Sequence, residues 1–267
     1  MSAKELKVSP LRFTDKICVV TGGLSGIGFA ISQRLLKEGA AAVIAMGLPN
    51  EKTDESNYQE LLNARLDKEK QQVLVYHGDL TNSQWRSQVV SDVTTQFGHV
   101  DVLFANAGVG IQAPTMTGHL SEENYDKLFN VNVKSQFFLI KDFLPLMRKQ
   151  PNKMKSILVT SSNAGINPVK QFGVYGMTKA ALNNMVKWLA QELSADNIRV
   201  NSICPGLTDT QMITSQSNYE KLKKIYPKKS VGKPEDIAAV ACMITSEIDG
   251  AFINGESYSV HGGFAKL

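Results

Sequence analysis

The sequence predicts a doubly wound α/β domain: a mostly parallel, seven-stranded sheet with helices on both faces. Three observations carry this. Short runs rich in β-branched residues alternate with amphipathic stretches of helical length, the order that builds a parallel sheet. The apolar runs are continuous rather than alternating, as in strands buried on both faces. The segments rich in Gly, Asn and Ser follow those runs, which gathers them at the carboxyl ends of the strands, where such sheets bind ligands.

The first strand, 17–20, runs into Thr21-Gly22-Gly23-Leu24-Ser25-Gly26-Ile27-Gly28 and then an amphipathic helix over 29–38. Strand, glycine turn and helix start together aim backbone N–H groups and a positive dipole end at a phosphate, so a dinucleotide pyrophosphate fits there. The spacing is G-x-x-x-G-x-G, and Ile31 stands where the last glycine of G-x-G-x-x-G would be; glycines also mark plain turns, and it is the placement between strand and helix that favours the phosphate site. Gly39 stops the helix, and 41–46 is a second strand. An acid at its end would take the ribose hydroxyls of NAD, and an arginine the extra phosphate of NADP. The strand runs instead into Gly47-Leu48-Pro49, so NAD and NADP both stay open.

Residues 58–70 read as a charged scaffold helix with Leu61, Leu62 and Leu66 on one face. A third strand, 73–76, leads to Gly78-Asp79-Leu80 and a helix over 85–97 that closes at Gly98; by position alone Asp79 is a helix-start acid. The fourth strand, 100–105, ends in Asn106-Ala107-Gly108. Ser121 opens a helix running through Met147. Asn132 in its middle is either a kink whose side chain or freed carbonyl holds a water, or a satisfied buried amide. A fifth strand covers 156–160, a sixth 198–204 stopped by Pro205-Gly206, and a seventh 256–260 before His261-Gly262-Gly263, with a last helix over 234–245.

The fifth strand delivers Ser162, and the helix beginning at Tyr175 carries Lys179 one turn on, on the same face. A hydride moved to or from an alcohol carbon needs a proton moved at its oxygen. A tyrosine hydroxyl supplies that proton, but its ordinary pKa of about 10 is high for a base near neutrality. An ammonium at Lys179 is expected to lower it, and Ser162 to hold the substrate oxygen by a hydrogen bond. A Tyr and a Lys at this spacing are also common on plain helix surfaces; Ser162 and the glycine turn distinguish this pair.

The composition is that of one globular domain over 1–267, with a polar N-terminal extension at 1–12 and a polar, Lys-rich stretch over 208–233 expected to form a mobile substrate flap. Lys221, Lys223, Lys224, Lys228 and Lys229 cluster there around Tyr226; a solvated face is the simplest reading, an attraction for an anionic acyl carrier the alternative. The chain is 43% hydrophobic and 20% charged, with a net charge of +4 spread among acids. No apolar run reaches membrane-spanning length, no secretory leader is evident, and no basic-aromatic interleaving suggests nucleic acid. Cys18, Cys204 and Cys242 read as reduced core residues, and His77, His99, His119 and His261 show no metal-ligand spacing, so no metal is expected.

With these residues laid out, the chain resembles the short-chain dehydrogenase/reductase family from about residue 13 to 263. The resemblance rests on the glycine turn, Asp79-Leu80, Asn106-Ala107-Gly108, Asn132, Ser162, Tyr175-x-x-x-Lys179 and Pro205-Gly206 in that order. It implies a Rossmann-type fold binding NAD or NADP, and a small alcohol or carbonyl substrate. The catalytic set it implies is Asn132, Ser162, Tyr175 and Lys179, with Asn132 holding a water that relays protons to Lys179. Cofactor contacts are implied at Gly22, Leu24, Ser25, Gly26, Ile27, Gly28, Asp79 near the adenine, Leu80, Asn106, Ala107, Gly108, Tyr175, Lys179 at the ribose, Pro205, Gly206, and Thr208 and Thr210 at the carboxamide. A homodimer or homotetramer is implied as well. Ser25 stands where NADP-preferring relatives carry Arg or Lys, and His261 replaces an Asp. The functions in view are a secondary alcohol/ketone oxidoreductase, a 3-oxoacyl-thioester reductase, and a non-catalytic dinucleotide-binding regulator. The location expected is intracellular and cytoplasmic, or peroxisomal through the terminal Ala265-Lys266-Leu267, a variant of a Ser-Lys-Leu address.

Overall fold

The computed structural model describes residues 11–50, 52–111, 120–170, 172–214 and 230–263. Within them the strands are β1 (Ile17–Thr21), β2 (Ala42–Gly47), β3 (Gln72–His77), β4 (Val102–Ala105), β5 (Lys155–Thr160), β6 (Ile198–Pro205) and β7 (Ser257–Val260). The helices are α1 (Gly26–Lys37), α2 (Asp54–Ala64), α3 (Ser83–Phe97), α4 (Glu122–Phe129), α5 (Ser135–Met147), α6 (Gly173–Glu192), α7 (Gln211–Thr214) and α8 (Pro234–Thr245). The strands join in the order β3-β2-β1-β4-β5-β6-β7. Every neighbouring pair is parallel, so the sheet is wholly rather than mostly parallel. Strand order reverses between β1 and β4, and the crevice above that point is where such a sheet takes a ligand.

Alternation of side chains along each strand divides the core in two. Val19, Ile44, Leu103, Ile157, Val159 and Val200 face α3, α5 and α6, where Val89, Phe143 and Val186 meet them. Cys18, Val20, Val43, Phe104, Leu158 and Ile203 face the other way, onto Ile31 and Leu35 of α1, Leu61 of α2 and Ala241 of α8. Each such fully buried aliphatic side chain stabilises by about 1.5–3 kcal/mol, which is why the sheet tolerates few polar residues between its ends.

Several element ends differ from the sequence expectation. Helix α2 begins at Asp54, with Asp54 and Glu55 in its first turn, and stops at Ala64 instead of running over 58–70. Its early stop follows from Gln71, whose Oε1 accepts the N–H groups of Leu66 and Asp67 while its Nε2 donates to the carbonyls of Leu36 and Ala40. Leu66 therefore lies beyond the helix and is exposed. Helix α3 is capped by Asn82, which accepts from the N–H groups of Gln84 and Trp85. Asp79 is accordingly not the helix-start acid; its carboxylate accepts the Thr81 N–H at 2.8 Å and closes a turn. The long helix through residue 147 is interrupted by a π-helical turn, Asn130–Lys134, that separates α4 from α5. Of the two readings of Asn132, the structure shows the satisfied buried amide, set in the π-helical turn.

Candidate active site

Three strand ends are stitched together beneath the crevice. Thr21 Oγ1, at the end of β1, accepts the N–H groups of Asn106 and Ala107, both at 2.9 Å. Asn106 Nδ2 donates back to the Thr21 carbonyl, and its Oδ1 accepts from Thr160 Oγ1 at the end of β5. The glycine turn rises from this knot with Gly22 at φ +65° and Gly26 at φ +49°, values that strain any side chain. A Cβ on Gly28 would come within 2.2 Å of the Gly22 carbonyl, so Gly28 is the point where α1 closes on the turn. The first N–H groups of α1 have no partner within the helix, the Ser25 side chain does not cap them, and Gly26 and Ile27 line the crevice.

The end of β5 and the start of α6 converge beside it. Lys179 Nζ donates to the Thr160 carbonyl at 2.8 Å, and Ser161 Oγ donates to the Lys179 carbonyl at 2.9 Å. A Cβ on Gly165 would lie 2.6 Å from the Lys179 carbonyl carbon, so the 3-10 turn Asn163–Gly165 packs directly on the helix. Ser162 is in extended conformation and its Oγ accepts the Ala164 N–H at 3.1 Å, which leaves its hydroxyl proton for the phenol of Tyr175. Lys179 Nζ lies 5.6 Å from the centre of the Tyr175 ring. Gly108 permits this crowding: a Cβ there would meet Asn132 Oδ1 at 3.1 Å and Lys179 Nζ at 3.3 Å.

The electrostatics correct one expectation. Burial in the cleft raises the pKa of Tyr175, and the hydrogen bond from Ser162 opposes that rise. Lys179 does not lower it in this geometry, because its amine is turned to the Thr160 carbonyl and is itself desolvated, with its pKa lowered from 10.5 to about 8. The same shortage of water penalises the phenolate and the ammonium alike.

A cleft of about 1040 Å³ runs from the glycine turn to Tyr175. That exceeds what one small ligand occupies, and leaves room for a dinucleotide and a second molecule. Of the residues singled out in the sequence, all but Gly28 and Asn132 line it. Gly28 sits behind the turn. Asn132 sits behind the wall, its Oδ1 accepting the Val109 N–H at 2.8 Å and its Nδ2 donating to the Val109 carbonyl and Thr178 Oγ1. Thr208 and Thr210 stand at the mouth, where a Cβ on Gly26 would meet Thr210 Cγ2 at 3.2 Å. Sequence reasoning passed over Asn50, Asp54 and His77 at one end of the cleft and Val169, Phe172 and Met212 at the other. The clustered flap lysines and the terminal tripeptide lie outside the described residues.

The glycine turn with its positive-φ positions, the uncapped start of α1 and the long cleft fit a pyridine dinucleotide. Residues 22–265 match the family described as Enoyl-(Acyl carrier protein) reductase. The human Dehydrogenase/reductase SDR family member 2, mitochondrial, is 33% identical over 95% of this chain and 88% of its own. The chain belongs to the short-chain dehydrogenase/reductase family. It is an NAD(P)-dependent oxidoreductase that moves a hydride between the coenzyme and an alcohol or carbonyl carbon of a small molecule. Another short-chain dehydrogenase/reductase relative, 3-oxoacyl-(acyl-carrier-protein) reductase FabG of Thermotoga maritima, is 32% identical over 95% of this chain and 99% of its own. A short chain dehydrogenase from Burkholderia cenocepacia, solved in complex with NADP, superposes with a TM-score of 0.84 at 25% identity, covering 94% of this chain and 98% of its own. Among the described residues no helix is long and apolar enough to cross a membrane.

Proposed function

We propose that Tyr175 is the acid and base of this oxidoreductase, acting on a secondary alcohol or ketone held against it by Ser162. The observation that carries the reading is the meeting of the Ser162 hydroxyl, the Tyr175 phenol and the Lys179 amine on one cleft wall. When bound, the nicotinamide supplies or accepts the hydride. The raised pKa of Tyr175 keeps the phenol protonated near neutrality, the form that donates to a carbonyl oxygen as charge develops on it. Ser162, with its acceptor side taken by Ala164, turns its one hydroxyl proton from the phenol to the same oxygen when substrate is bound. Lys179, whose Nζ lies 5.6 Å from the centre of the Tyr175 ring, is the nearby ammonium that replaces the proton Tyr175 gives up. Asn132 fixes Val109 and Thr178, and through them the wall that faces the substrate.

The glycine turn, Asp79-Leu80, Asn106–Gly108 and the Pro205–Thr210 segment hold the coenzyme in this reading. One domain is proposed, with 208–233 as its flap. The base of that segment is closed, since Asp209 N–H donates to the Gly232 carbonyl and Gly232 N–H to the Leu207 carbonyl. A 3-oxoacyl thioester is a second candidate substrate, favoured by the similarity to the Thermotoga reductase. A homodimer or homotetramer, with a cytoplasmic or peroxisomal location, completes the proposal; Trp188, 47% exposed and stacked on Phe137, is a ready contact for a second copy.

The test is coenzyme-dependent turnover across a panel of ketones and acyl thioesters, with Tyr175→Phe beside the parent. The variant is expected to lose about 10²–10⁴-fold in kcat while still binding coenzyme. A variant as active as the parent would remove Tyr175 from the chemistry.

A further inference from the structure

An acid does stand at the adenosine end of the cleft, although not where the strand ends. Asp54, the first residue of α2, reaches back over the carboxyl ends of β2 and β3. Its Oδ2 accepts the Asn50 N–H at 2.5 Å and lies 3.5 Å from His77 Nδ1. Gly47 and His77 are register partners in the sheet, so the carboxylate sits above the very strand end from which ribose hydroxyls are read in this class of fold. The glycine turn is adjacent: a Cβ on Gly47 would be 3.7 Å from Gly22 Cα, and Asn57 Nδ2 ties α2 to the Leu24 carbonyl at 2.8 Å. The Asp54 side chain is 17% exposed and lines the cleft, with Oδ1 carrying no hydrogen bond among the described residues.

The charges around this point run one way. Ser25, Leu48, Pro49 and Asn50 bring no cation to the wall, and His77 is already turned to Asp54. Among the described residues two lysines line the cleft. Lys179 is committed to Thr160, and Lys127 comes from α4, which follows β4, two strands away from β2 in the sheet.

We infer that Asp54 is the coenzyme-selecting residue of this enzyme, and that it sets the preference to NAD(H) over NADP(H). Its free oxygen accepts a hydrogen bond from the 2′-hydroxyl of the adenosine ribose, and its charge repels a 2′-phosphate at the same place. The inference deepens the oxidoreductase reading and rests on it.

The experiment uses the full chain and reads coenzyme binding by NADH and NADPH fluorescence without any carbonyl substrate, so that an inactive chemical site does not obscure it. The parent is expected to bind NADH at least about tenfold more tightly than NADPH, the scale of one charge-assisted hydrogen bond gained or lost. Asp54→Asn keeps the size and the Asn50 contact but not the charge, and should shrink that ratio about tenfold; Asp54→Ser, with a thermal melt to show that α2 is intact, should do the same. Equal or tighter binding of NADPH by the parent overturns the inference. So does a ratio unchanged in both folded variants, or a selective loss of NADPH in Lys127→Ala with none of these effects at Asp54. Binding of neither coenzyme would instead strike the oxidoreductase reading itself.

Discussion

The side-chain amide of Asn132 clasps the backbone of Val109 from both sides, accepting its N–H at 2.8 Å and donating to its carbonyl at 2.9 Å. Val109 follows the Gly108 that crowds Lys179, so this clasp fixes the distance between the β4 loop and α6. Asn132→Ala would strand two backbone groups and the Thr178 hydroxyl. A loss of about 2–4 kcal/mol is expected in urea denaturation, with a lower kcat as the β4 loop relaxes. A variant equal to the parent in both would show that solvent replaces the clasp at no cost.

The buried amine of Lys179 has a signature in stability against pH. Its pKa is lowered from 10.5 to about 8 by burial. Between those values the unfolded chain holds a proton that the folded chain does not, so stability rises with pH from about 8 to 10. Below pH 8 the cost is present in full, on the order of 3 kcal/mol. Lys179→Met removes the group, so parent and variant should differ most in Lys179→Met's favour near pH 7, and progressively less towards pH 10. The comparison stops there because the buried Tyr175 phenol adds an opposite slope above it. A difference that stays flat from pH 7 to 10 would show that the charge carries no such cost.

Gly28 makes a separate prediction about the coenzyme. The 2.2 Å approach of its absent Cβ to the Gly22 carbonyl cannot be relieved by rotating a side chain, since backbone meets backbone. Gly28→Ala should displace the glycine turn, cost about 1–3 kcal/mol, and weaken NADH binding more than it weakens the fold. Calorimetric titration beside a thermal melt separates the two effects. Unaltered affinity in a destabilised protein would detach this position from the phosphate cradle.

At the opposite end of the sheet Lys155 is wholly buried against Asp101, whose other oxygen accepts the Ile17 N–H at 2.8 Å and faces His99 Nε2 at 3.3 Å. Lys155→Met leaves a carboxylate in the core without its main partner, at an expected cost of about 3–5 kcal/mol. Because this pair lies far from the cleft, kcat and the Michaelis constant of the folded fraction should hold steady. Altered kinetics at full foldedness would tie the two ends of the sheet together.

What could be read from the chain was what spacing encodes. Tyr175 and Lys179 share a helix face, and the glycine turn sits between an apolar run and an amphipathic one; both relations are local, and both are where the residues placed them. The order of elements gave the sheet for the same reason. Asp54 is not singled out by the sequence, and His77 only for lacking metal-ligand spacing, because nothing local joins them: they meet only through the parallel register that sets Gly47 beside His77, and through an α2 that starts four residues earlier than its apolar face suggests. Met212 is brought to within 3.3 Å of the Cβ position of Gly110 by a fold-back over a hundred residues long, which no window of sequence reveals. The acidity of Tyr175 was misjudged from spacing alone, since proximity of a cation says nothing about how dry the site is or where the amine points.

The long cleft draws its rim from the carboxyl ends of six strands, from Gly22 after β1 to Pro205 at the end of β6. A dinucleotide seated there is therefore a brace across the whole molecule. Coenzyme at a hundred times its dissociation constant adds about 2.7 kcal/mol to the free energy of unfolding. Survival of this chain under heat or protease thus becomes a gauge of pyridine-nucleotide supply, independent of whether any carbonyl compound is turned over.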